Sequence, residues 1–324
     1  MSAEIQDNTV TCSYSVHAVI FGVDESLLNI QLKDGFCLKK LSLIPHVSHL
    51  DKIFDTTDLG LRREYETARI DLDTLDVICA VKQIEYTEAI PLLENRFEQD
   101  IDEDLISLDN QIRVIRLLNE GPVRFKKIAF HQNWIQNIEG MGIPCNHNSI
   151  VPIGEAMKTN SISTFHCGAG EVASLNNAII TMSFPLSDNI LNTCHTYYDL
   201  SYHTEMCVAV TLLTTALEML FLKRNEKDKQ KKLSKRCAVF IADNDYQKAR
   251  TAYDNLKTLY DKRSDFVHEG KLLPITTGDI IELRGYVRDS LLKALSLSEN
   301  KDQRITRLTQ YISQHSTGGL RHSY

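Results

Sequence analysis

Polar and apolar residues alternate along the first part of the chain. From position 10 to position 20, apolar or aromatic side chains occupy the even positions. Such alternation predicts a β-strand with one buried face. Further strands are predicted at residues 27–32, 36–38, 77–84, 123–130 and 178–184. Residues 140–176 contain scattered Gly, Pro, Asn and Ser, which predicts a loop-rich region.

The periodicity changes in the last third of the chain. Apolar residues there recur every three or four positions, which predicts helices over residues 198–222, 233–241, 246–267 and 279–295. Thr276 stands three residues before Asp279, which is the spacing of a capping box. Residues beyond 298 are polar, and a tail with a disordered end is expected there.

These patterns predict an α+β fold. A mixed, strand-rich N-terminal domain is expected over residues 1–195, and its role as a sensing or targeting domain is inferred from its position alone. Four helices with short connections predict an all-α bundle over residues 196–300. Residues 301–324 are predicted to form a polar C-terminal tail.

The most apolar segment, residues 206–222, is the one candidate for a membrane span. It is shorter than the roughly 20 residues that a span needs, and it contains Glu218 and three threonines. We therefore predict a buried helix of a soluble bundle and no membrane partner. The first residues have neither a basic start nor an apolar stretch, so no secretory signal is recognised and a cytoplasmic location is expected.

The overall charge conceals an asymmetry. The 324 residues include 36 Lys and Arg against 43 Asp and Glu, a net charge of −7 that argues against a nucleic-acid partner. Residues 196–324, however, hold 21 basic and 16 acidic residues, a net charge of +5, which leaves −12 for the rest. This asymmetry predicts two domains with different partners.

The cysteines indicate a reducing compartment and leave a metal site as a minor alternative. None of the eight is spaced as Cys-x-x-Cys, which favours free thiols. Three places put a Cys near a His: Cys145 with His147, His166 with Cys167, and Cys194 with His195. Thiolate and imidazole are the usual zinc ligands, but the spacing matches no finger or knuckle. We predict no metal and no cofactor, with zinc as the alternative.

The segment LYDKRSDFVHEGK at residues 259–271 carries the most informative chemistry. Arg263 follows Leu256 by seven residues, which places it within about 20° of the apolar stripe of the predicted helix. A guanidinium on that side needs a partner, because a buried unpaired charge is costly. One interpretation is a structural arginine paired with an acid of another helix, such as Glu218. His268 lies near the helix end, where the dipole favours an imidazolium.

The order of these features resembles the HEPN domain, and specifically its Apea-like branch. The resemblance covers about residues 196–296 and includes LTTALEMLF at 213–221, the basic loop, LSKRCAVF at 233–240 and LYDKRSDFVHEGK. Arg263 and His268 match the family's Arg-x4-His motif. The motif alone is common by chance, so the signal comes from the order of all these pieces.

The resemblance implies a metal-independent endoribonuclease that acts as a homodimer. Such domains are four- or five-helix bundles, and Arg263, Ser264 and His268 of two chains would face one another across the two-fold axis. Histidine can serve as a base toward the 2′-hydroxyl or as an acid toward the leaving 5′-oxygen. Arginine offers a planar fork for the phosphate. The implied products carry a 2′,3′-cyclic phosphate and a 5′-hydroxyl.

The family setting implies a role in bacterial antiphage defence or in a toxin system, with a phage or host trigger. Two positions depart from the catalytic pattern. Ser264 stands where many catalytic members have Asn, Asp or His, and Gly270 stands where toxins neutralised by nucleotidylation have Tyr. Some members have lost catalysis, so a non-catalytic interaction, dimerisation or nucleic-acid-binding module is the alternative.

The basic stretch at residues 223–236 is a candidate RNA interface. It holds eight basic residues against two acidic ones, and lysine and arginine bind the RNA backbone through its phosphates. The residues predicted to contact RNA are Lys223, Arg224, Lys231, Lys232, Lys235 and Arg236. A solvated interhelical loop is the alternative. Tyr253 and Tyr260 are expected to pack in the core rather than to stack on bases.

Overall fold

The computed structural model describes residues 9–42, 76–119, 121–138, 140–152, 164–269 and 275–315. The chain divides into two compact units, of which the first comprises Met1–Ala156 with Ser163–Ser183 and the second comprises Met157–Ile162 with Phe184–Tyr324. An antiparallel sheet dominates the first unit and helices form the second, which confirms the predicted α+β class.

The first unit is built on a five-stranded sheet in the order β2-β3-β1-β4-β5. The strands are β1 Thr9–Phe21, β2 Cys37–Ser42, β3 Asp76–Ala89, β4 Arg124–Ile138 and β5 Met141–Pro152. Both neighbours of β1 run antiparallel to it. Cys12, Tyr14, Val16 and Ala18 are fully buried, which confirms the alternation predicted from the sequence.

Three local predictions for the first unit are wrong. Residues 27–32 begin in a 3₁₀ turn, Glu25–Asn29, instead of a strand. The predicted strand at 178–184 overlaps helix α2, Val172–Thr181, which buries Leu175, Ala178 and Ile179 at helical spacing. The region predicted to be loop-rich contains β5, which pairs with β4 through a tight turn at Gly140, whose φ is 83°. Glycine adopts that backbone conformation without strain.

A long helix, α1 (Leu93–Leu118), packs on the sheet with two acids on its inner side. Asp104 is only 2 % exposed. Its carboxylate accepts hydrogen bonds from the Tyr14 hydroxyl at 2.9 Å and from Nζ of Lys82 at 2.7 Å. Burial raises the pKa of Asp104, and the contact with Lys82 opposes this shift. The charge is tolerated inside the unit because both donors reach it.

The second unit contains six helices within the described ranges, two more than the sequence analysis predicted. They are α3 Asn189–Leu200, α4 Met206–Phe221, α5 Lys229–Ile241, α6 Tyr246–Glu269, α7 Thr277–Ser296 and α8 Lys301–His315. The helix expected at 198–222 is divided into α3 and α4. The predicted domain boundary after residue 195 is also wrong, because it cuts through α3 and the unit already includes Phe184.

The predicted polar tail at 301–324 begins as helix α8. Ile305 and Leu308 are each 1 % exposed and give this helix a narrow apolar stripe. Polar residues surround the stripe in the sequence, which is why the segment resembled a tail. The end of the chain, where disorder was expected, lies outside the described residues.

Helix α4 lies in the core of the second unit, as predicted for the apolar segment. Its buried residues include Val210, Leu213, Leu217 and Leu220. Within the described ranges, none of the helices has the length and apolar character that crossing a membrane requires. The capping box of α7 is confirmed, because Thr276 and Asp279 exchange the two expected hydrogen bonds.

Replacing Lys82 with methionine should destabilise the first unit. Asp104 would stay buried and keep the hydrogen bond from Tyr14 but lose the one from Lys82. Removing one partner of a buried ion pair lowers the free energy of unfolding by about 3 kcal/mol. Lys39→Met on the exposed surface of β2 is the matched control, and it should change the free energy of unfolding by less than about 0.5 kcal/mol. Urea unfolding measures both variants, and equal effects would contradict the role given to Lys82.

Candidate functional site

The motif residues lie in the last two turns of α6. Arg263 and Ser264 are half-buried, and His268 is exposed. Successive residues of an α-helix are rotated by about 100°, so Ser264 and His268, four residues apart, share one side of α6. Arg263 is about 140° away from His268 around the same helix. One chain therefore presents the guanidinium and the imidazole in different directions.

Arg263 does not form the ion pair with Glu218 that the structural interpretation of the sequence expected. No nitrogen of Arg263 lies within 4.0 Å of the Glu218 carboxylate; that carboxylate instead accepts a hydrogen bond from the Tyr260 hydroxyl at 2.8 Å. The Arg263 guanidinium carbon lies 5.8 Å from the centre of the Tyr260 ring. Its Nε atom is buried and has no hydrogen-bond partner among the residues that the structure describes.

Burial and the neighbouring Glu218 together raise the pKa of Tyr260 to about 12. The hydroxyl therefore keeps its proton throughout the physiological pH range and remains a donor to Glu218. Sequence reasoning assigned Tyr260 to core packing and missed this contact. The signal for it is weak, because Glu218 and Tyr260 lie on helices that are far apart in the sequence.

Two polar contacts hold this part of α6 in place. Nζ of Lys262 lies 2.8 Å from Oδ2 of Asp279, which is the second member of the capping box of α7. The Gln230 side chain on α5 donates to Asp261 at 2.6 Å and to the backbone oxygen of Lys257 at 3.0 Å. The turn that precedes Arg263 is therefore fixed to neighbouring helices.

The predicted RNA-contact residues divide into two groups. Lys223, Arg224 and Lys231 are exposed, and Lys235 is half-buried. Burial, together with the nearby charge of Lys231, lowers the pKa of Lys235. The three exposed side chains, Lys223, Arg224 and Lys231, are accessible to phosphate groups.

Arg236 and Lys232 both contact the Glu226 carboxylate. Burial of Arg236 argues against its assignment to an RNA interface, whereas Lys232 has a partly exposed side chain and stays a predicted contact. Arg236 is 6 % exposed. Its two terminal nitrogens donate to the Glu226 carboxylate at 2.8 and 2.9 Å, and one of them also donates to the backbone oxygen of Phe221. Nζ of Lys232 lies 3.3 Å from the same carboxylate. A buried, fully engaged guanidinium cannot bind RNA without breaking these contacts.

The remaining predictions concern aromatic packing and metal binding. Tyr253 is 9 % exposed, which confirms that it packs in the core. Within the described ranges, there is no group of three or more His, Cys, Asp or Glu side chains that could hold a metal ion. The three Cys–His neighbours lie in β5, in the segment before α2, and in α3.

Comparisons with protein-family models, with curated proteins and with solved structures found no match for this chain. The resemblance to the HEPN domain consequently stays an expectation from the sequence. The local geometry defines a candidate anion-binding site, in which an arginine without a carboxylate partner among the described side chains lies on the same helix as a serine and an exposed histidine.

The pair between Arg236 and Glu226 should make stability depend on acidic pH. Hydrogen bonds from Arg236 lower the pKa of Glu226 to about 2 in the folded state. The ionised Glu226 therefore adds to the free energy of unfolding at pH values above its ordinary pKa. This contribution is lost as the pH falls from about 4.5 toward 2. We expect Glu226→Gln to lower the free energy of unfolding by about 2 kcal/mol at pH 7 and by much less at pH 3.

Urea unfolding at several pH values tests this expectation. Asp228→Asn changes an exposed acid in the same loop and is the matched control. A cost of Glu226→Gln that stays constant from pH 7 to pH 3 would contradict the account.

Proposed function

We propose that the protein is a metal-independent endoribonuclease of the HEPN type that acts as a homodimer in the cytoplasm. The observation that carries the proposal is the state of Arg263. Its guanidinium lies beside Tyr260 without a carboxylate partner among the described side chains, one residue from Ser264 and five from the exposed His268. An arginine in this state is ready to bind an anion such as an RNA phosphate.

The three side chains supply the groups that RNA cleavage needs without a metal. Histidine acts as a general base or a general acid in catalysis, so His268 can remove the proton of the 2′-hydroxyl or protonate the leaving 5′-oxygen. Arg263 can stabilise the negative charge that grows on the phosphate. The Ser264 hydroxyl can donate a hydrogen bond to the same group.

The rotation between Arg263 and His268 supports a two-chain site. Because one helix turns them about 140° apart, a second chain would be needed to place a histidine opposite each arginine. Helix α4 offers a surface for this contact, which we call the α4 face. It is an uncharged row in which Val208 is 43 % exposed and the other members are half-buried. The row consists of Val208, Leu212, Thr215 and Met219.

The basic side chains that follow α4 and lie on α5 support an RNA partner. Lys223 and Arg224 follow α4, and Lys231 and Lys235 lie one turn apart on α5. Such cations bind single-stranded RNA through its phosphates. All eight cysteines are free thiols, which supports a reducing compartment. We further propose that the first unit senses a phage or host trigger in a defence or toxin system.

A non-catalytic HEPN module is the second candidate. The 140° rotation between Arg263 and His268 also favours this candidate, because the two side chains do not converge within a single chain. In that case Arg263 would hold the dimer together through contacts with the second chain, and RNA would stay intact.

Cleavage of RNA in the presence of EDTA tests the proposal. The full-length protein should produce fragments that end in a 2′,3′-cyclic phosphate. His268→Ala and Arg263→Ala should each lower the cleavage rate by about 10²- to 10⁴-fold, because each removes a group that acts in the transition state. Arg250→Ala replaces an exposed arginine on the same helix and should leave the rate unchanged.

Two results would count against an endoribonuclease. One is equal cleavage by the wild type and His268→Ala, which would assign the activity to another site or to a contaminant. The other is intact RNA under every activating condition. If Arg263→Ala then also abolished the dimer, the non-catalytic module would be the better account.

A further inference from the structure

The contact between Tyr260 and Glu218 has a consequence for Arg263. Glu218 on α4 and Arg263 on α6 both lie next to the Tyr260 side chain. A carboxylate and a guanidinium that meet form a two-fold hydrogen-bonded pair, and a site with restricted solvent strengthens such a pair. The hydroxyl of Tyr260 occupies Glu218 instead, and no ion pair joins Glu218 to Arg263.

Three other carboxylates on α6 and α7 already have partners. Asp279 at the start of α7 pairs with Lys262. Asp261, two residues before Arg263, accepts from Gln230. Glu282 on α7 accepts from Asn255 and from the hydroxyl of Tyr286. Glu218 differs from these three because it lies, like Arg263, beside the Tyr260 side chain.

We propose that Tyr260 is a positioning residue that keeps Arg263 available for an anion by holding Glu218 away from it. Tyr260 acts through Glu218 and does not itself touch the phosphate. The inference rests on the proposed function for the identity of the anion, an RNA phosphate, but the competition between Glu218 and an anion for Arg263 is a property of the site alone.

The test compares Tyr260→Phe, Glu218→Gln and the double variant. Tyr260→Phe removes one oxygen and releases Glu218, which then pairs with Arg263. Glu218→Gln can still accept the hydrogen bond of Tyr260 but cannot form the ion pair. In the double variant no carboxylate competes for Arg263, so its availability should return to the level of the wild type.

Two measurements follow the availability of Arg263. The first is its rate of modification by phenylglyoxal, a reagent for free guanidinium groups, with the modified peptide quantified by mass spectrometry. The second is the affinity for a 2′-O-methyl RNA oligonucleotide, which binds but cannot be cleaved. Tyr260→Phe should lower both by about fivefold, which is the effect of a half-buried ion pair. The double variant should restore both.

Tyr286→Phe is the matched control. It also removes a tyrosine hydroxyl that donates to a glutamate, at 2.8 Å, but on α7. It should leave the modification of Arg263 unchanged. A loss of reactivity in this variant too would show a general structural effect and would overturn the role given to Tyr260.

Unchanged modification of Arg263 in Tyr260→Phe, or no recovery in the double variant, would also overturn the inference. Should Tyr260→Phe fail to fold, Glu218→Gln alone decides. If Arg263 is modified in Glu218→Gln at the wild-type rate, the inference is supported. A severalfold higher rate would show that Glu218 already pairs with Arg263 in the wild type and would overturn it. If the expected pattern appears while the wild type leaves cleavable RNA intact, the positioning role is supported and the nuclease proposal fails.

Discussion

Three arginines are buried inside the helical unit, and their charges constrain how its helices are joined. Arg236 connects the end of α4 and Glu226 to Thr309 on α8. Arg284 on α7 donates to the side chain and the backbone of Ser201 just after α3. Arg304 on α8 lies against the Phe240 ring and 4.0 Å from Glu299. Because a guanidinium stays charged at any physiological pH, each contact must form as the unit folds.

Arg263 contrasts with these three. It is half-buried rather than buried, and its neighbour Tyr260 engages the nearby carboxylate that could have neutralised it. Arg236 and Arg284 donate hydrogen bonds to backbone oxygens, and Arg304 lies 4.0 Å from the Glu299 carboxylate. Arg263 has neither kind of partner among the described residues and lies beside the Tyr260 ring. This difference supports a role in binding an anion. The net charge of +5 in the last part of the chain overstates its basic surface, because three of its arginines lie inside.

The sequence predicted features that depend on residues close together in the chain. The alternation in β1, the capping box at Thr276 and the burial of the apolar segment of α4 are examples. The predictions failed where the structure of a segment depends on partners that are distant in the sequence. Strand β5 has few strand-forming residues and exists because it pairs with β4, and α8 depends on a narrow stripe buried by other helices. Arg236 was assigned to the RNA interface because its local neighbours are basic, while Thr309 lies 73 positions away.

In the proposed dimer, Arg263 of one chain works with His268 of the other. Mixing the Arg263→Ala and His268→Ala proteins after unfolding and refolding them together tests it most directly. If the site is shared, half of the random dimers contain one intact combination, and RNA cleavage should recover to about a quarter of the wild-type rate. If the mixture cleaves no faster than the two inactive variants measured separately, Arg263 and His268 do not act across a dimer and the account is contradicted.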